Sequence, residues 1–241
     1  MLEALGFKAL ATTSSGFAFT LGRLDGGATL DELTNHVRAV DQATSVPVSV
    51  DLEHGHGPAP TDAATAIERA AGAGAVGGSI EDWEPGAGIY PLDRAVERVA
   101  AAAQAARHLA FPFMLTARAE NHIRGHPDLD DTIARLRAYE RAGADVLYAP
   151  GLRDADQIRA VCAGVSKPVN VLAHPGLTVA EIIGAGAQRI SVGGALTWTA
   201  VEAMARAAEQ IRDGGDFSSL GSVARIKDWL APADASKHPA E

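Results

Sequence analysis

Two acidic pairs stand where apolar runs end: Asp51 and Glu53 after Pro47-Val-Ser-Val50, and Glu81 beside Asp82 after Gly77-Gly-Ser-Ile80. Residues two apart on an extended chain share a face, so Asp51 and Glu53 would point the same way. Carboxylates packed together repel, and one takes up a proton unless a cation joins them. An oxygen-rich, sulfur-free set of this kind suits Mg2+ or Mn2+. Singly, each acid reads equally well as a helix cap or a solvated loop residue; together, at successive run ends, they make a candidate hard-cation site. Arg118, which follows Phe113-Met-Leu-Thr-Ala117, carries a planar fork that takes a carboxylate or phosphoryl group in two parallel hydrogen bonds. An ion pair with Glu120 or Glu81 is its plainer role, and the two can coexist. Ser14-Ser15-Gly16-Phe17 follows the first apolar run; Gly16 admits close approach of backbone N–H groups to a ligand and Ser15 adds a hydroxyl. His54, His56, His122 and His174 offer a second chemistry, that of a zinc hydrolase, although Gly55 and Gly57 put the His-x-His pair in a loop. His174 can serve as general acid or base near neutral pH, with a loop histidine bonded to backbone as the plain alternative. The lysines (Lys8, Lys167, Lys227, Lys237) all fall away from strand ends, which argues against a Schiff-base aldolase.

Such residues need a scaffold that gathers run ends. Seven β-rich runs, at 9–13, 47–52, 77–82, 113–119, 146–149, 169–173 and 189–193, alternate with segments of helical period. The helical segments are 30–43 (capped by Thr29 or Asp31), 62–71, 92–108, 130–142, 154–163, 178–184 and 199–212. Right-handed crossovers make the sheet parallel, either open and doubly wound or closed as a barrel. Polar residues after so many successive strands favour the barrel, whose loops converge at one face. The expectation is an α/β fold, a (β/α)8 TIM-type barrel, one strand short: residues 1–7 read as the end of a helix. Either the first strand lies upstream or the sheet is an open seven-stranded one. Residues 1–214 form the barrel domain, and 215–241 an accessory C-terminal helix (223–230) and tail.

The chain has 241 residues, 47% of them apolar and 21% charged, with a net charge of −9. That is an ordinary globular composition. The acidity argues against nucleic acid and against a polybasic membrane patch, and no apolar run approaches a membrane span. One cysteine, Cys162, excludes a disulfide framework. A soluble, reduced, cytoplasmic protein is expected.

Taken in order, several segments resemble the isocitrate lyase/phosphoenolpyruvate mutase superfamily. They are residues 9–26, Pro47-Val-Ser-Val-Asp-Leu-Glu-His-Gly-His-Gly57, Gly77-Gly-Ser-Ile-Glu-Asp82, Thr116-Ala-Arg-Ala-Glu-Asn121, Pro168-Val-Asn-Val-Leu172 and Arg189-Ile-Ser-Val-Gly-Gly-Ala195. The resemblance covers about residues 2–210. It implies a (β/α)8 barrel, a homo-oligomer (tetramer or dimer), Mg2+, and a small 2-oxo or 2-hydroxy carboxylate or phosphonate. In such enzymes C–C or P–C bonds break or form through an enolate-like intermediate. By the same resemblance Asp51 touches the metal, and Asp25, Glu53 and Glu81 act on it directly or through water. Ser15, Gly16 and Phe17 cradle the substrate carboxylate, Arg118 anchors it, and Asn170 faces the site.

Departures narrow the choice. The lyases carry a Lys-Lys/Arg-Cys-Gly-His loop after Ile-Glu-Asp, whereas residues 83–91 here read Trp-Glu-Pro-Gly-Ala-Gly-Ile-Tyr-Pro, without Lys, Cys or His. Cys162 lies in a helical segment and reads as packing. Chemistry through a catalytic cysteine is therefore not expected, and the mutase's asparagine-bearing gate is absent too. Gly86 and Gly88 leave the loop free to act as a lid. A catalytically degenerate, metabolite-binding relative is the non-enzymatic alternative.

Overall fold

The computed structural model describes residues 1–222, together with Ile226 and Trp229. Its elements, in chain order, are β1 (Leu10–Ala11), α1 (Ser14–Thr20), α2 (Leu30–Gln42), β2 (Val48–Asp51), α3 (Pro60–Gly72), β3 (Gly77–Glu81), β4 (Trp83–Glu84), β5 (Gly88–Ile89), α4 (Leu92–His108), β6 (Met114–Arg118), α5 (Leu129–Ala142), β7 (Val146–Tyr148), α6 (Ala155–Gly164), β8 (Val169–Leu172), α7 (Val179–Gly184), β9 (Arg189–Ser191) and α8 (Ala195–Gly214). All seven expected strands are present in one parallel sheet of order β1-β2-β3-β6-β7-β8-β9. That order is sequential. A doubly wound sheet reverses direction at a switch point, whereas a curled sheet grows by adding each strand beside the last, as barrels do. Among the described residues no eighth strand joins the sheet, whose two edges are β1 and β9.

The core is built from small and branched side chains on both sides of the strands. Val48, Val50, Leu115, Leu147, Val169 and Val171 are each at most 1% exposed, and alanines on α3 and α4 let those two helices pack closely. Helix starts follow local chemistry. Thr29 caps α2 in a reciprocal box with Glu32, Asp128 and Asp154 cap α5 and α6, and Gly143 ends α5 in the left-handed region at φ 107°.

Three local readings change. Residues 1–7 form hydrogen-bonded turns, with Leu5 N–H donating to Met1 O and Gly6 N–H to Glu3 O, rather than a helix end. Ser14–Thr20, where no helix is expected, forms a seven-residue helix. Residues 83–89 contain a short antiparallel hairpin, β4 with β5, which two-residue strands and two glycines conceal from periodicity. The expected helix at 223–230 and the tail lie outside the described residues, apart from Ile226 and Trp229. No described helix is long and apolar enough to cross a membrane.

Candidate active site

Asp51, Glu81 and Arg118 are the last residues of β2, β3 and β6. Register makes Glu81 and Arg118 direct cross-strand neighbours, and Asp51 lies opposite Ser79, two residues before Glu81. Three adjacent strands thus deliver three charged side chains to one rim. The Arg118 guanidinium is the hub. Its Nε and Nη2 donate to Glu120 Oε1 at 3.0 and 2.8 Å, its Nη1 donates to Asp51 Oδ1 at 2.9 Å, and Nη2 lies 2.9 Å from Glu81 Oε2. It also faces the Tyr148 ring at 5.3 Å. Burial opposes its charge, but Glu81, Asp51 and Glu120 outweigh that and hold it firmly protonated. The ion-pair role expected for Arg118 is therefore present, and the fork that would grip a substrate carboxylate already holds protein carboxylates.

Arg124 closes the arrangement from the far side: Nε donates to Glu120 Oε2 at 3.1 Å and Nη2 stands 3.5 Å from Glu81 Oε1. Beneath this lattice Asp82 is buried and accepts from Glu120 N–H, the Tyr139 hydroxyl and Arg135. Arg135 also donates to Tyr90 O, and Tyr90 N–H donates to Asp82 O, so both feet of the 83–89 hairpin are tied to α5. Burial pushes the Asp82 carboxyl up, against the pull of Tyr139, the Glu120 N–H and Arg135.

Glu53 and Asp25 stand apart from the guanidinium lattice. Glu53 is buried, adopts a left-handed φ of 51°, and its carboxyl is pushed up to about 7 by burial, then by Asp51 and Asp25, with Arg118 pulling the other way. A Cβ on Gly26, the neighbour of Asp25, would lie 3.6 Å from Glu53 Oε2. Glu81 is raised by burial first, against Arg118, with Glu120 and Asp51 adding to the rise. Three carboxyls (Asp51, Glu81, Glu120) thus face two guanidiniums, and Asp25 and Glu53 add acid beside them with no guanidinium in contact. Among the described residues, no three His, Cys, Asp or Glu side chains already converge closely enough to ligate one ion.

The first turn of α1 meets this cluster, where Ser14 N–H donates to Asp51 Oδ2 at 3.3 Å. Phe17 N–H is committed to Thr13 O and its ring stacks on His36 at 4.2 Å. That leaves the N–H groups of Ser15 and Gly16, which have no intrahelical partner by position, and the Ser15 hydroxyl, 3.2 Å from Thr13 Oγ1. Gly16 is required for another reason than ligand approach: a Cβ there would meet Thr13 Cγ2 at 2.7 Å and Thr197 Oγ1 at 2.9 Å. Asn170 is fully buried between strands; its Nδ2 donates to Ser191 Oγ at 3.0 Å and its Oδ1 has no partner.

The histidines behave differently from one another. His174 Nδ1 accepts from Gly176 N–H at 3.0 Å, the local turn bond of the plain reading, which leaves the ring proton on Nε2. His122 Nδ1 is 3.0 Å from Thr132 Oγ1. His54 and His56 have ring centres 6.2 Å apart, and each keeps one buried nitrogen without a partner; burial, then His54, holds His56 down to about 4. No third ligand joins them among the described residues, so a zinc centre is not assembled here. Cys162 is half-buried on α6, its thiol pushed up by burial. Two hollows of about 370 and 400 Å3 lie at the opposite, N-terminal end of the strands, beside Ser166 and beside Met114.

Sequence reasoning missed Arg124, Tyr148 and Ser191. The four-residue spacing from Glu120 was the available signal for Arg124; the other two sit inside short apolar runs.

A curled parallel sheet with an acid-rich rim around a buried arginine places the chain in the TIM-type barrel class. Comparison makes the assignment specific. The family profile described as phosphoenolpyruvate phosphomutase matches residues 1–212, and the chain belongs to that family, within the phosphoenolpyruvate mutase/isocitrate lyase superfamily of lyases and mutases. A Burkholderia cenocepacia J2315 protein, described as a candidate lyase/mutase, is 48% identical with a TM-score of 0.91, over 95% of this chain and 85% of its own. An oxaloacetate decarboxylase of Rhodopseudomonas palustris (strain HaA2) is 30% identical over 81% of this chain and 69% of its own. Oxaloacetate acetylhydrolase, solved with its product oxalate, is 25% identical with a TM-score of 0.86, over 97% and 85%.

Proposed function

We propose that the chain is a Mg2+-dependent lyase- or mutase-type enzyme, with Mn2+ as a substitute ion. Its substrate is a small 2-oxo or 2-hydroxy carboxylate, or a phosphonate, whose C–C or P–C bond breaks through an enolate-like intermediate without a catalytic cysteine. The observation that carries this reading is the excess of carboxyls over guanidiniums at the rim, with Glu53 buried and pushed up to about 7 beside Asp51 and Asp25. A hard divalent ion suits that donor set. Asp51 would hold it, with Asp25, Glu53 and Glu81 acting directly or through water, and the bound ion supplies charge stabilisation for a developing oxyanion.

The chain's own groups do the rest. Arg118, the Ser15 hydroxyl and the α1 first-turn N–H groups at Ser15 and Gly16 take the substrate carboxylate, and the Phe17 ring keeps α1 seated against His36. The orphaned Asn170 Oδ1 accepts from a substrate hydroxyl or a water. His174, whose Nδ1 is taken by Gly176 N–H, serves through Nε2 as general acid or base. Relatives named for oxaloacetate favour the carbon–carbon branch. Helix α8 buries none of its residues and exposes Leu196, Trp198 and Met204, which supports a homo-oligomer in which a second copy covers it. A reduced, cytoplasmic setting suits the lone thiol of Cys162.

The test is a screen of 2-oxo acids and phosphonates with Mg2+, paired with calorimetric titration of Mg2+ itself. Asp51→Ala should abolish both Mg2+ binding and turnover, whereas His174→Asn should lower turnover and leave oxalate binding in place. A fully active Asp51→Ala enzyme rejects the metal assignment. Oxalate binding with no turnover on any substrate returns the metabolite-binding alternative.

A further inference from the structure

Arg124 shares both of its carboxylates with Arg118, oxygen by oxygen. Glu120 gives Oε1 to Arg118 and Oε2 to Arg124; Glu81 gives Oε2 to Arg118 and Oε1 to Arg124. The four side chains close a ring of alternating charge. Outside the ring, the Arg124 guanidinium carbon lies 3.5 Å from the centre of the Trp83 ring, at the start of the 83–89 hairpin. Arg124 is the more accessible of the two arginines, its side chain 30% exposed against 13% for Arg118, while Glu120 is fully buried.

The sharing has a consequence for Arg118. Its Nε, Nη1 and Nη2 are all engaged by Glu120, Asp51 and Glu81, so it cannot take a substrate carboxylate in two parallel bonds without releasing one of them. A buried carboxylate stripped of its only cation is strongly unfavourable. Here the second oxygen of each releasable glutamate already rests on Arg124, so the release leaves neither of them bare. The planar stack on Trp83 favours the guanidinium orientation that reaches both glutamates, which a flexible ammonium would not keep.

We propose that Arg124 is a positioning residue, held by Trp83, that retains Glu81 and Glu120 when Arg118 turns to a substrate carboxylate, and so sets substrate affinity. This rests on the anchoring role of Arg118 given above. The probe is oxalate in saturating Mg2+, followed by calorimetry and by tryptophan emission, with steady-state kinetics on whichever substrate the screen identifies.

Arg124→Gln should weaken oxalate binding at least about tenfold and raise KM by a similar factor, with kcat changed less than about threefold and Mg2+ affinity retained. Arg124→Lys should recover part of the affinity through its charge. Oxalate should alter tryptophan emission in the parent protein, and Trp83→Phe should remove the Trp83 share of that change, leaving only the response of Trp198, which stands near Ser15 at Gly194, and of Trp229. Arg124→Lys should remove that share too, because the stack is gone. Oxalate affinity within twofold of the parent in Arg124→Gln, while Arg118→Gln has lost it, overturns the proposal and leaves Arg118 as the anchor. Equal losses of oxalate and Mg2+ affinity in Arg124→Gln overturn it in favour of a purely structural role. Unchanged oxalate affinity in Arg118→Gln removes the anchoring reading and this inference with it.

Discussion

Replacing Arg118 by Gln is the most informative single perturbation of the rim, because one change strips the shared cation from Asp51, Glu81 and Glu120. Removing one partner of a buried pair costs about 3–5 kcal/mol, since the remaining charge stays buried and uncompensated. Arg124 still touches Glu81 and Glu120, which keeps the expected loss inside that range although three acids are affected. For a chain of this size roughly 2–4 °C of Tm accompanies each kcal/mol, so the midpoint should fall by roughly 6–20 °C in EDTA at pH 7.5. Two further signatures separate electrostatics from lost packing. The deficit should shrink as pH falls, because Glu81, already raised by burial in the parent, takes up a proton more readily once Arg118 is gone. Millimolar Mg2+ should return part of the lost stability, since an ion that binds only the folded state stabilises it by mass action. Circular dichroism melts of parent, Arg118→Gln and Arg118→Met at pH 5.5, 6.5 and 7.5, with and without Mg2+, measure all three quantities. A midpoint within 2 °C of the parent, or a deficit that widens on acidification, would refute the account of Arg118 as the cation that holds these acids together.

Three other outcomes are expected. Tyr139→Phe removes the hydroxyl that donates to buried Asp82, and should cost about 1.5–3 kcal/mol in urea unfolding, the range for a hydrogen bond to a charged group; an unchanged midpoint counts against the Asp82 network as a foundation of the hairpin. Gly16→Ala gains about 1 kcal/mol of helix propensity but places a Cβ 2.7 and 2.9 Å from two stiff threonine side chains, so overpacking of about 1–3 kcal/mol should leave it net destabilised; a stabilised variant shows that Thr13 and Thr197 yield. His56 is held down to about 4, so the unfolded chain binds more protons between that value and about 6.5, and the stability it contributes near neutrality is lost as pH falls through that window. At pH 5 the loss is about 2 kcal/mol if fully expressed, and about 1 after allowance for partial exposure. Glu53, raised to about 7, titrates with the opposite sign, so the quantity to measure is the pH-dependent difference between parent and His56→Gln in EDTA, and a flat difference excludes the histidine.

The fold was legible to the extent that burial imposes period and punctuation. All seven sheet strands and the helices with marked amphipathic faces follow from apolar runs and glycine stops, within a few residues at their ends, and the 92–108 helix matches to the residue. Helix α1 escaped because Ser14-Ser-Gly-Phe-Ala-Phe-Thr20 has turn composition; what holds it helical is tertiary, the Ser14 N–H on Asp51 and the fit of Gly16 against Thr197. The 83–89 hairpin escaped because its order comes from tied feet, Asp82 and Tyr90 on Arg135, and no local pattern encodes that. At the rim, residue types at strand ends were readable one at a time, since β2, β3 and β6 each terminate on a charged residue. Pairing was less so. That Glu81 stands opposite Arg118 depends on register between strands more than 30 residues apart in sequence, and a shift of one residue would turn one of the two to the other face.

The same register explains why a rim so rich in acid holds together without being neutral. Arg118 ends a strand whose other neighbour supplies Tyr148, so the guanidinium is walled by an aromatic face on one side and faces carboxylates on the other. An arginine so enclosed keeps its charge and spends its donors on the protein's own acids. Asp25 and Glu53 receive no such partner, and this asymmetry divides the rim into a compensated half around Arg118 and Arg124 and an uncompensated half around Glu53. A cation and an anionic substrate arriving together would each meet the half suited to it. Such a cation would supply the charge that Glu53 lacks, and by holding Asp51 it would free one of the donors that Arg118 now spends on that residue. Binding of the two should therefore be mutually favourable, each raising the affinity of the other by the same factor. Oxalate titrations across a series of Mg2+ concentrations, and the reverse, test that reciprocity, and affinities that are independent of one another would show the two halves to be uncoupled.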